Sequence, residues 1–432
     1  MGLLGGPGKP VPSHAELRAA RSRVWGLLIA LIFLAVCQLV DWHQSQDVVT
    51  GAHGTFPAAF GAGAPVAPER VVRQKTDGEV LVHGLSIQSP GSSVTAVNLR
   101  TGKEYWRYER RDTGRVVWSI EASGRTVVAG FGDGRLVAID LRTGKPLWQV
   151  EVHHDEGYRS AELAGGQAVT EAPGAVRAFA ERDGRSLWTA KTPKSCPEVL
   201  VYTVYVLPDH LSVVPVFCNT SSLKRDEYNL LLGIDNRTGK ILWQQRTADP
   251  KLTVRADEHT LAAAPDPETD PETVQLLEVN RHGITPRAVI SPDAWDTAAS
   301  GGGIVVSATD FRDGSVDRDT LLRAYAARDG HLAWRLRAPT GQEYGSPQIS
   351  DGRVYVVRQP SLTDRDVGRR IRTDLLILDA GTGRLLHTLR LPAMTARADG
   401  DGFMTLDVRD IADGAVSISW RVEEGGMLIA TD

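Results

Sequence analysis

AIDLRTGKPLW, residues 138–148, joins two short apolar runs through a turn and ends on a tryptophan, and the chain returns to this pattern repeatedly. AVNLRTGKEYW (96–106), AFAERDGRSLW (178–188), GIDNRTGKILW (233–243) and AYAARDGHLAW (324–334) are further copies. LEVNRHGITPR (277–287) keeps the glycine without the tryptophan, ILDAGTGRLLH (377–387) ends in His387, and an eighth copy starts at Ala430 and stops at Asp432. The first positions are spaced by 42, 40, 55, 44, 47, 53 and 53 residues. That is the period of a four-stranded propeller blade.

Each interval parses into short β-rich runs separated by turn residues. The second gives Val116–Ala122, a Ser-Gly turn, Arg125–Phe131, an Asp-Gly turn, Arg135–Asp140 and Pro146–Val150. The first gives Arg70–Lys75, the Asp77-Gly78 turn, Val80–His83, Val94–Leu99 and Glu104–Tyr108. Within the repeated unit, the Ala or Gly at its start allows a neighbouring blade to approach, and the Thr/Asp-Gly pair supplies a positive-φ turn. The tryptophan supplies packing surface, roughly 200 Å² of it, worth several kcal/mol at about 25 cal/mol per Å². Eight such blades closed into a ring from about residue 69 leave no exposed sheet edge.

The unit resembles the tryptophan-docking motif, A-x-D-x-x-T-G-x-x-x-W, of the pyrroloquinoline-quinone-type (PQQ-like) β-propeller repeat family, over about residues 69–432. The resemblance implies an all-β, eight-bladed β-propeller in which Trp106, Trp148, Trp188, Trp243 and Trp334 dock between blades. Asp140, Asp235 and Asp379 keep the acidic position, Asn98 stands in for it, and Ala180 and Ala326 replace it. WD-repeat propellers share the period, but the sole Trp-Asp pair of the repeat region, Trp295-Asp296, does not recur. Quinoprotein dehydrogenases of this fold usually add a disulfide of adjacent cysteines, a calcium site and an Asp base. No two cysteines here are adjacent, and intervals of 40–55 residues leave little room for the insertions that build such sites. The motif therefore implies architecture rather than chemistry.

Ahead of the repeats, Val24–Val40 (VWGLLIALIFLAVCQLV) is uncharged. As a helix it spans about 25 Å at about 1.5 Å per residue, enough for a single N-terminal transmembrane helix. Trp25 and Trp42 flank it, and residues 1–23 carry Lys9, Arg18, Arg21 and Arg23 against Glu16. The positive-inside tendency then puts the tail in the cytoplasm and everything after Asp41 outside. Leu34-Ala35-Val36-Cys37 offers the alternative of a lipoprotein anchored at Cys37, although Val36 stands where a small residue is usual. No small-x-small site follows for a cleaved signal. Residues 41–68, rich in Gly, Ala and Pro between 51 and 68, read as a tether. The domain organisation is thus a cytoplasmic tail (1–23), a membrane helix (24–40), a linker (41–68) and the propeller (69–432). Because the last blade lacks a fourth strand, part of 43–68 is expected to pair with it.

The 432 residues carry 49 Lys+Arg against 53 Asp+Glu, a net charge of −4. With no basic excess, nucleic acid is excluded as a partner. Cys196 and Cys218 flank a hairpin of Val199–Leu207 and Leu211–Phe217, turned at Pro208-Asp209-His210. Near-symmetric placement about the turn sets them almost opposite, and a disulfide is expected outside the cytoplasm. Asp310, Asp313, Asp317 and Asp319 miss the EF-hand spacing and read as a solvated loop. Asp399-Gly400-Asp401-Gly402 reads as a turn, and Pro265–Glu272 as an exposed acidic loop able to face a basic partner. His153-His154 with Asp155 and Glu156 would point to opposite strand faces. No phosphate loop, dinucleotide, zinc-protease or nucleophile-elbow motif stands in a suitable context.

No catalytic, cofactor-binding or metal-ligating residue is therefore assigned. The reading is a membrane-anchored, extracytoplasmic, non-catalytic binding or scaffolding platform with an unidentified protein partner. A PQQ- and calcium-dependent dehydrogenase, or an extracellular sugar or small-ligand sensor, are the alternatives. The insertions Asn219–Asn229, Phe311–Thr320 and Pro360–Thr373 each follow a second strand and are expected on one rim.

Overall fold

The computed structural model describes residues 47–432 apart from 69, 75–79, 111–115, 153–160, 195, 197, 202, 220–227, 248–253, 264–273, 291–298, 309–319, 363–365, 397, 400–401, 404, 421–425 and 431–432. The expected membrane helix and Cys37 lie outside the described residues, as do His153-His154, the Asp310–Asp319 cluster and the Pro265–Glu272 run. Among the described residues no helix is long and apolar enough to cross a membrane. The chain divides into two units. The smaller holds residues 1–48 and Arg110–Thr113, and within it Arg110 Nε lies 3.7 Å from Asp47 Oδ1. The larger, Val49–Glu109 with Gly114–Asp432, holds the blades.

Eight antiparallel sheets succeed one another along the chain. Blade I comprises Val80–Val82, Leu85–Gln88, Ser93–Asn98 and Glu104–Glu109, and blade II Val117–Ala122, Thr126–Phe131, Arg135–Asp140 and Pro146–Glu151. Blade III runs Ala161–Ala164, Gln167–Ala172, Ala175–Ala180 and Ser186–Lys191. In blade IV the first strand is broken into Glu198–Val201 and Tyr205–Leu207, both paired with Leu211–Asn219, followed by Tyr228–Asp235 and Ile241–Thr247. Blade V is Val254–Arg255, Thr260–Ala263, Val274–Asn280 and Gly283–Ile290, and blade VI Ala299–Gly301, Ile304–Ala308, Leu321–Ala326 and Leu332–Arg337. Blade VII has Gln342–Tyr344 and Gln348–Ser350 sharing the first-strand place, then Arg353–Pro360, Asp374–Asp379 and Leu385–Arg390.

Blade VIII shows how the ring shuts. Leu406–Ala412, Ala415–Trp420 and Gly426–Ala430 are completed by Arg70–Gln74, which pairs antiparallel with Gly426–Ala430. The chain start does close the last blade, but through Arg70–Gln74 rather than residues 43–68. The segment expected as the first strand of blade I is the outer strand of blade VIII. Its short run, RVVRQ, fits either sheet, and the sequence alone does not choose between them.

Residues 51–68 lie along the blades. Phe56 packs edge-on to Tyr105, Phe60 N and Gly61 N donate to Asp413 O, Ala64 N donates to Asp351 Oδ2 and Tyr355 Oη donates to Pro65 O. Ala64 is buried in the core shared by blades VII and VIII. This strap spans the first-to-second-strand turns of blades I, VIII and VII, the three blades beside the closing seam.

Burial follows strand position. Thr126–Phe131, a second strand, is buried throughout because a neighbouring blade covers each face, and so it reads as a continuous apolar run. Leu332–Arg337, a fourth strand, is covered only in part, with Trp334 buried between half-buried Ala333 and exposed Arg335. Connections at one end of every sheet are tight turns. The other end carries the long ones, including Asn219 to Tyr228, Ala263 to Val274, Ala308 to Leu321 and Pro360 to Asp374. The expected insertions thus do leave from second strands at a single end.

Candidate functional site

The repeated unit builds the joints between blades. In the fourth strand the residue before the tryptophan is bulged: Ala96 pairs with Trp106 and Val97 with Glu104, which leaves Tyr105 unpaired. Equivalent shifts occur at Trp148, Trp188, Trp243, Trp334 and His387. The bulge re-aims the following side chain across the blade face. The small residue opening the unit lies directly opposite the aromatic of its own blade, as in Ala138 with Trp148 and Ala178 with Trp188. A Cβ on Gly233 would stand 2.1 Å from Trp243 Cε2. That residue makes room for its own tryptophan, rather than for the neighbouring blade as its position suggested.

The next blade supplies the seat. A Cβ on Gly144 would lie 2.8 Å from Trp106, one on Gly184 2.7 Å from Trp148, one on Gly239 2.8 Å from Trp188 and one on Gly383 2.6 Å from Trp334. Trp106 Nε1 donates to Leu141 O at 2.7 Å, Trp148 to Glu181 O at 2.8 Å, Trp243 to Asn280 O at 2.9 Å and Trp334 to Ala380 O at 2.7 Å. Trp188 differs: its Nε1 donates to Gln167 Oε1 at 3.0 Å, and Gln167 Nε2 donates to Asn236 O at 3.0 Å. In blade VII, His387 Nε2 lies 3.2 Å from Pro68 O, just ahead of the closing strand.

The acidic position shapes the turn that carries each seat. Asp140 Oδ1 accepts from Thr143 N at 2.8 Å and Thr143 Oγ1 at 2.7 Å, and Asp379 does the same with Thr382 at 2.9 and 2.7 Å. Where Ala180 and Ala326 replace the acid, Asp183 and Asp329 accept from Arg185 N and His331 N instead. In blade IV, burial raises the Asp235 carboxyl, but hydrogen bonds from Arg281, Arg237 and Thr238 outweigh it and hold the pKa at about 2.

Cys196 and Cys218 form a disulfide with Cα atoms 4.9 Å apart, buried in the core between blades III and IV. The residue opposite Cys218 is Val199, not Cys196. Cys196 comes in from the preceding loop, where its N donates to Pro193 O at 2.8 Å and its O accepts from Thr192 Oγ1 at 2.7 Å.

First strands line the ring axis, and those of blades II, III and VIII carry Glu121, Glu162 and Asp410. Burial pushes Glu162 up to about 8, and Glu121 adds to the shift. Burial likewise pushes Glu121 up to about 7, with Asp410 adding. Asp410 itself is raised by burial and by Asp413, against the amides of Leu81 and Ile411. Burial also raises the Tyr205 phenol, Thr203 lowers it and Glu162 raises it again. Glu121 is on blade II and Asp410 on blade VIII, with blade I between them, and the Asp410 charge still raises the Glu121 pKa. This acid file was not legible in the sequence, because Glu121 and Asp410 are 289 residues apart. Among the described residues no three His, Cys, Asp or Glu side chains stand close enough to hold a metal ion. Asp399 and Gly402 pair in a short ribbon.

Comparison with known proteins bears on the whole of this architecture. Among curated proteins none matches the sequence. The structure of BamB from Moraxella catarrhalis is similar at a TM-score of 0.50 and 14% identity, covering 88% of this chain and 100% of that one. The computationally designed Ika8 protein is similar at 0.52 and 14%, over 85% and 100%. Quinohemoprotein alcohol dehydrogenase from Comamonas testosteroni is similar at 0.50 and 12%, over 88% and 76%. At such identities these likenesses speak for the fold alone. The profile of the PQQ_2 family, described as outer membrane protein assembly factor BamB, matches residues 67–174, 172–274 and 287–417, and the chain belongs to that family.

Proposed function

We propose that this protein is a membrane-anchored, extracytoplasmic platform that binds a protein partner and catalyses no reaction of its own. The observation that carries the reading is the asymmetry of the ring: tight turns at one end, and at the other the long connections of blades IV to VII. A rigid disc with variable loops on one end is suited to recognition. The family description, an assembly factor, supports a role in protein assembly at a membrane. The uncharged stretch 24–40 supports an anchor.

The dehydrogenase alternative finds little support in the axial channel. A tricarboxylate quinone entering there meets Glu121, Glu162, Asp410 and Asp413, and the groups that perturb Glu121 and Glu162 are carboxyls rather than cations. The disulfide is packed in the core between blades III and IV. The test is photo-crosslinking in the native envelope from Glu268, in the acidic connection of blade V, with Arg125 on the opposite end as control. A specific protein adduct from Glu268 alone is expected. Quinone- and calcium-dependent dye reduction by the purified chain would overturn the proposal in favour of the enzyme, and a ligand-specific thermal shift without a protein adduct in favour of the sensor.

A further inference from the structure

Three joints of the ring lack the indole of the repeat, and they are filled differently. Between blades V and VI the filling comes from the blades themselves. Leu276 lies opposite Ala288, which reverses the small-and-large pair of the unit, and a Cβ on Gly330 of blade VI would stand 2.8 Å from Ala288 Cβ and 3.6 Å from Leu276 Cδ1. At the end of blade VII the tryptophan place holds His387, opposite Ile377. In the strand that closes blade VIII it holds Arg73, opposite Leu428 after the same bulge.

At these last two joints the filling comes from the strap. Phe60 packs on the cluster of Leu81 and Leu99 from blade I with Ala415 and Ala430 from blade VIII. The Arg100 guanidinium lies over its ring, 4.2 Å from the centroid, and Arg100 Nη2 donates to Ala59 O at 2.9 Å. Phe56 lies under Arg142 of blade II in the same way, at 4.3 Å. On the other side of blade VIII, Ala64 is buried in the core shared with blade VII, the Tyr355 hydroxyl donates to Pro65 O, and His387 stands beside Pro68 O. Trp420 belongs to that core too, but at the far end of its strand, Ala415–Trp420.

The turns beneath the strap are shaped to hold it. In blades I, VIII and VII the first-to-second-strand turn opens on His83, Asp413 and Asp351, at φ of 48°, 52° and 50°. A side chain is disfavoured in that region, and in blades III and VI the same place is Gly165 or Gly302. Each departure from glycine meets the strap or the next turn. Asp351 Oδ2 accepts from Ala64 N at 2.8 Å, Asp413 Oδ2 accepts from His83 N at 2.5 Å, and the His83 ring lies 6.4 Å from that of Phe56. The two backbones also touch: Gly414 N donates to Gly63 O at 2.7 Å, and a Cβ on Gly84 would stand 2.4 Å from Ala58 O.

We infer that residues 56–68 are the clasp of the ring. Phe60 and the Ala64-Pro65 step stand in for the indoles absent on either side of blade VIII, so the seam opens only when the strap lifts. Such opening frees Arg70–Gln74 from Gly426–Ala430 while blades II to VI stay folded. It is independent of any anchor and of any partner.

Amide hydrogen exchange of the full chain in detergent, read by mass spectrometry, tests the clasp with two variants. Asp351→Gly removes the acceptor of Ala64 N while suiting the positive φ of the turn better than aspartate does. Phe60→Ala removes the ring at the other joint. Each is expected to speed exchange severalfold in Gly426–Ala430 as well as in the strap, with Thr126–Phe131 of blade II unchanged. If Asp351 serves its own turn alone, glycine there leaves exchange unchanged or slower, and that result overturns the proposal. Faster exchange confined to 56–68 overturns it as well, since the strap would then peel from a closed ring. Equal acceleration in Thr126–Phe131 would show that no seam opens by itself and has the same force. Asp351→Gly decides alone where Phe60→Ala does not fold.

Discussion

Gly144 of blade II lies directly beneath the indole of Trp106 of blade I, so close that a methyl group there would stand 2.8 Å from the tryptophan Cβ and Cγ. One glycine therefore serves two needs, the positive φ of 70° in its own turn and the seat of the preceding blade's aromatic.

The two needs separate by comparison with Gly341, whose φ is 75° but whose Cβ would meet nothing within 4 Å. Gly341→Ala should cost about 1–2 kcal/mol from backbone strain. Gly144→Ala should cost at least about 1 kcal/mol more from overpacking. Urea unfolding followed by tryptophan fluorescence reads both. Equal losses would mean that the seat is not tight.

The Gln167 relay between Trp188 and Asn236 predicts a coupled pair. Gln167→Ala leaves an indole N–H and a carbonyl without this partner and should cost about 1–3 kcal/mol. With Trp188→Phe already present, it should cost less by about 0.5 kcal/mol or more. Strict additivity in the double-mutant cycle would show that the relay carries no energy.

The axial acids predict a stability that falls with rising pH. Glu121 and Glu162 have folded pKa values of about 7 and about 8 against 4.5 for the free side chain. Folding therefore retains protons there, and the contribution is complete below about pH 4.5 and lost as pH rises through 7 to 8. Thermal melts between pH 5 and pH 8, taken as the window ~5–8 of these shifts, should show Tm decreasing. Glu162→Gln should flatten the slope and raise Tm at the alkaline end. A variant that tracks the parent slope would place those protons elsewhere.

Reduction of the Cys196–Cys218 bond, which closes a sequence separation of 22 residues, should lower stability by about 3 kcal/mol. Both cysteines are fully buried, so reductant should act only after partial unfolding. Denaturant midpoints with and without prior reduction of the unfolded chain provide the measurement. Fast reduction of the native protein would show the bond to be accessible.

How far the sequence revealed this molecule depends on the range over which each feature is encoded. The blade unit is local: eleven residues hold the turn, its acidic cap, the bulge and the aromatic, so period and blade number read directly. The same locality assigned the small first residue to the wrong neighbour, because a bulge that sets Trp243 over Gly233 leaves no mark beyond ordinary alternation. The swap of acid from position 180 to 183 was likewise visible only as a missing Asp. Closure was legible as a deficit, three strands where four are needed, but not as an address, since Arg70–Gln74 suits blade I or blade VIII equally. The pairing position of Cys196 went unread because Pro193 turns it in from outside the hairpin. The axial acids were invisible for the opposite reason: Glu121 and Glu162 come together only when blades II and III pack side by side, and Asp410 of blade VIII acts on Glu121 only when the circle is complete.

Blade VIII has a consequence for biosynthesis. Its outer strand is among the first segments of the propeller to leave the ribosome, and its partner is among the last. During translation Arg70–Gln74 must wait unpaired while seven sheets assemble, and any premature stop leaves it without a mate. Only a chain synthesised through Gly426–Ala430 can latch, so the ring itself checks that its last sheet has been made.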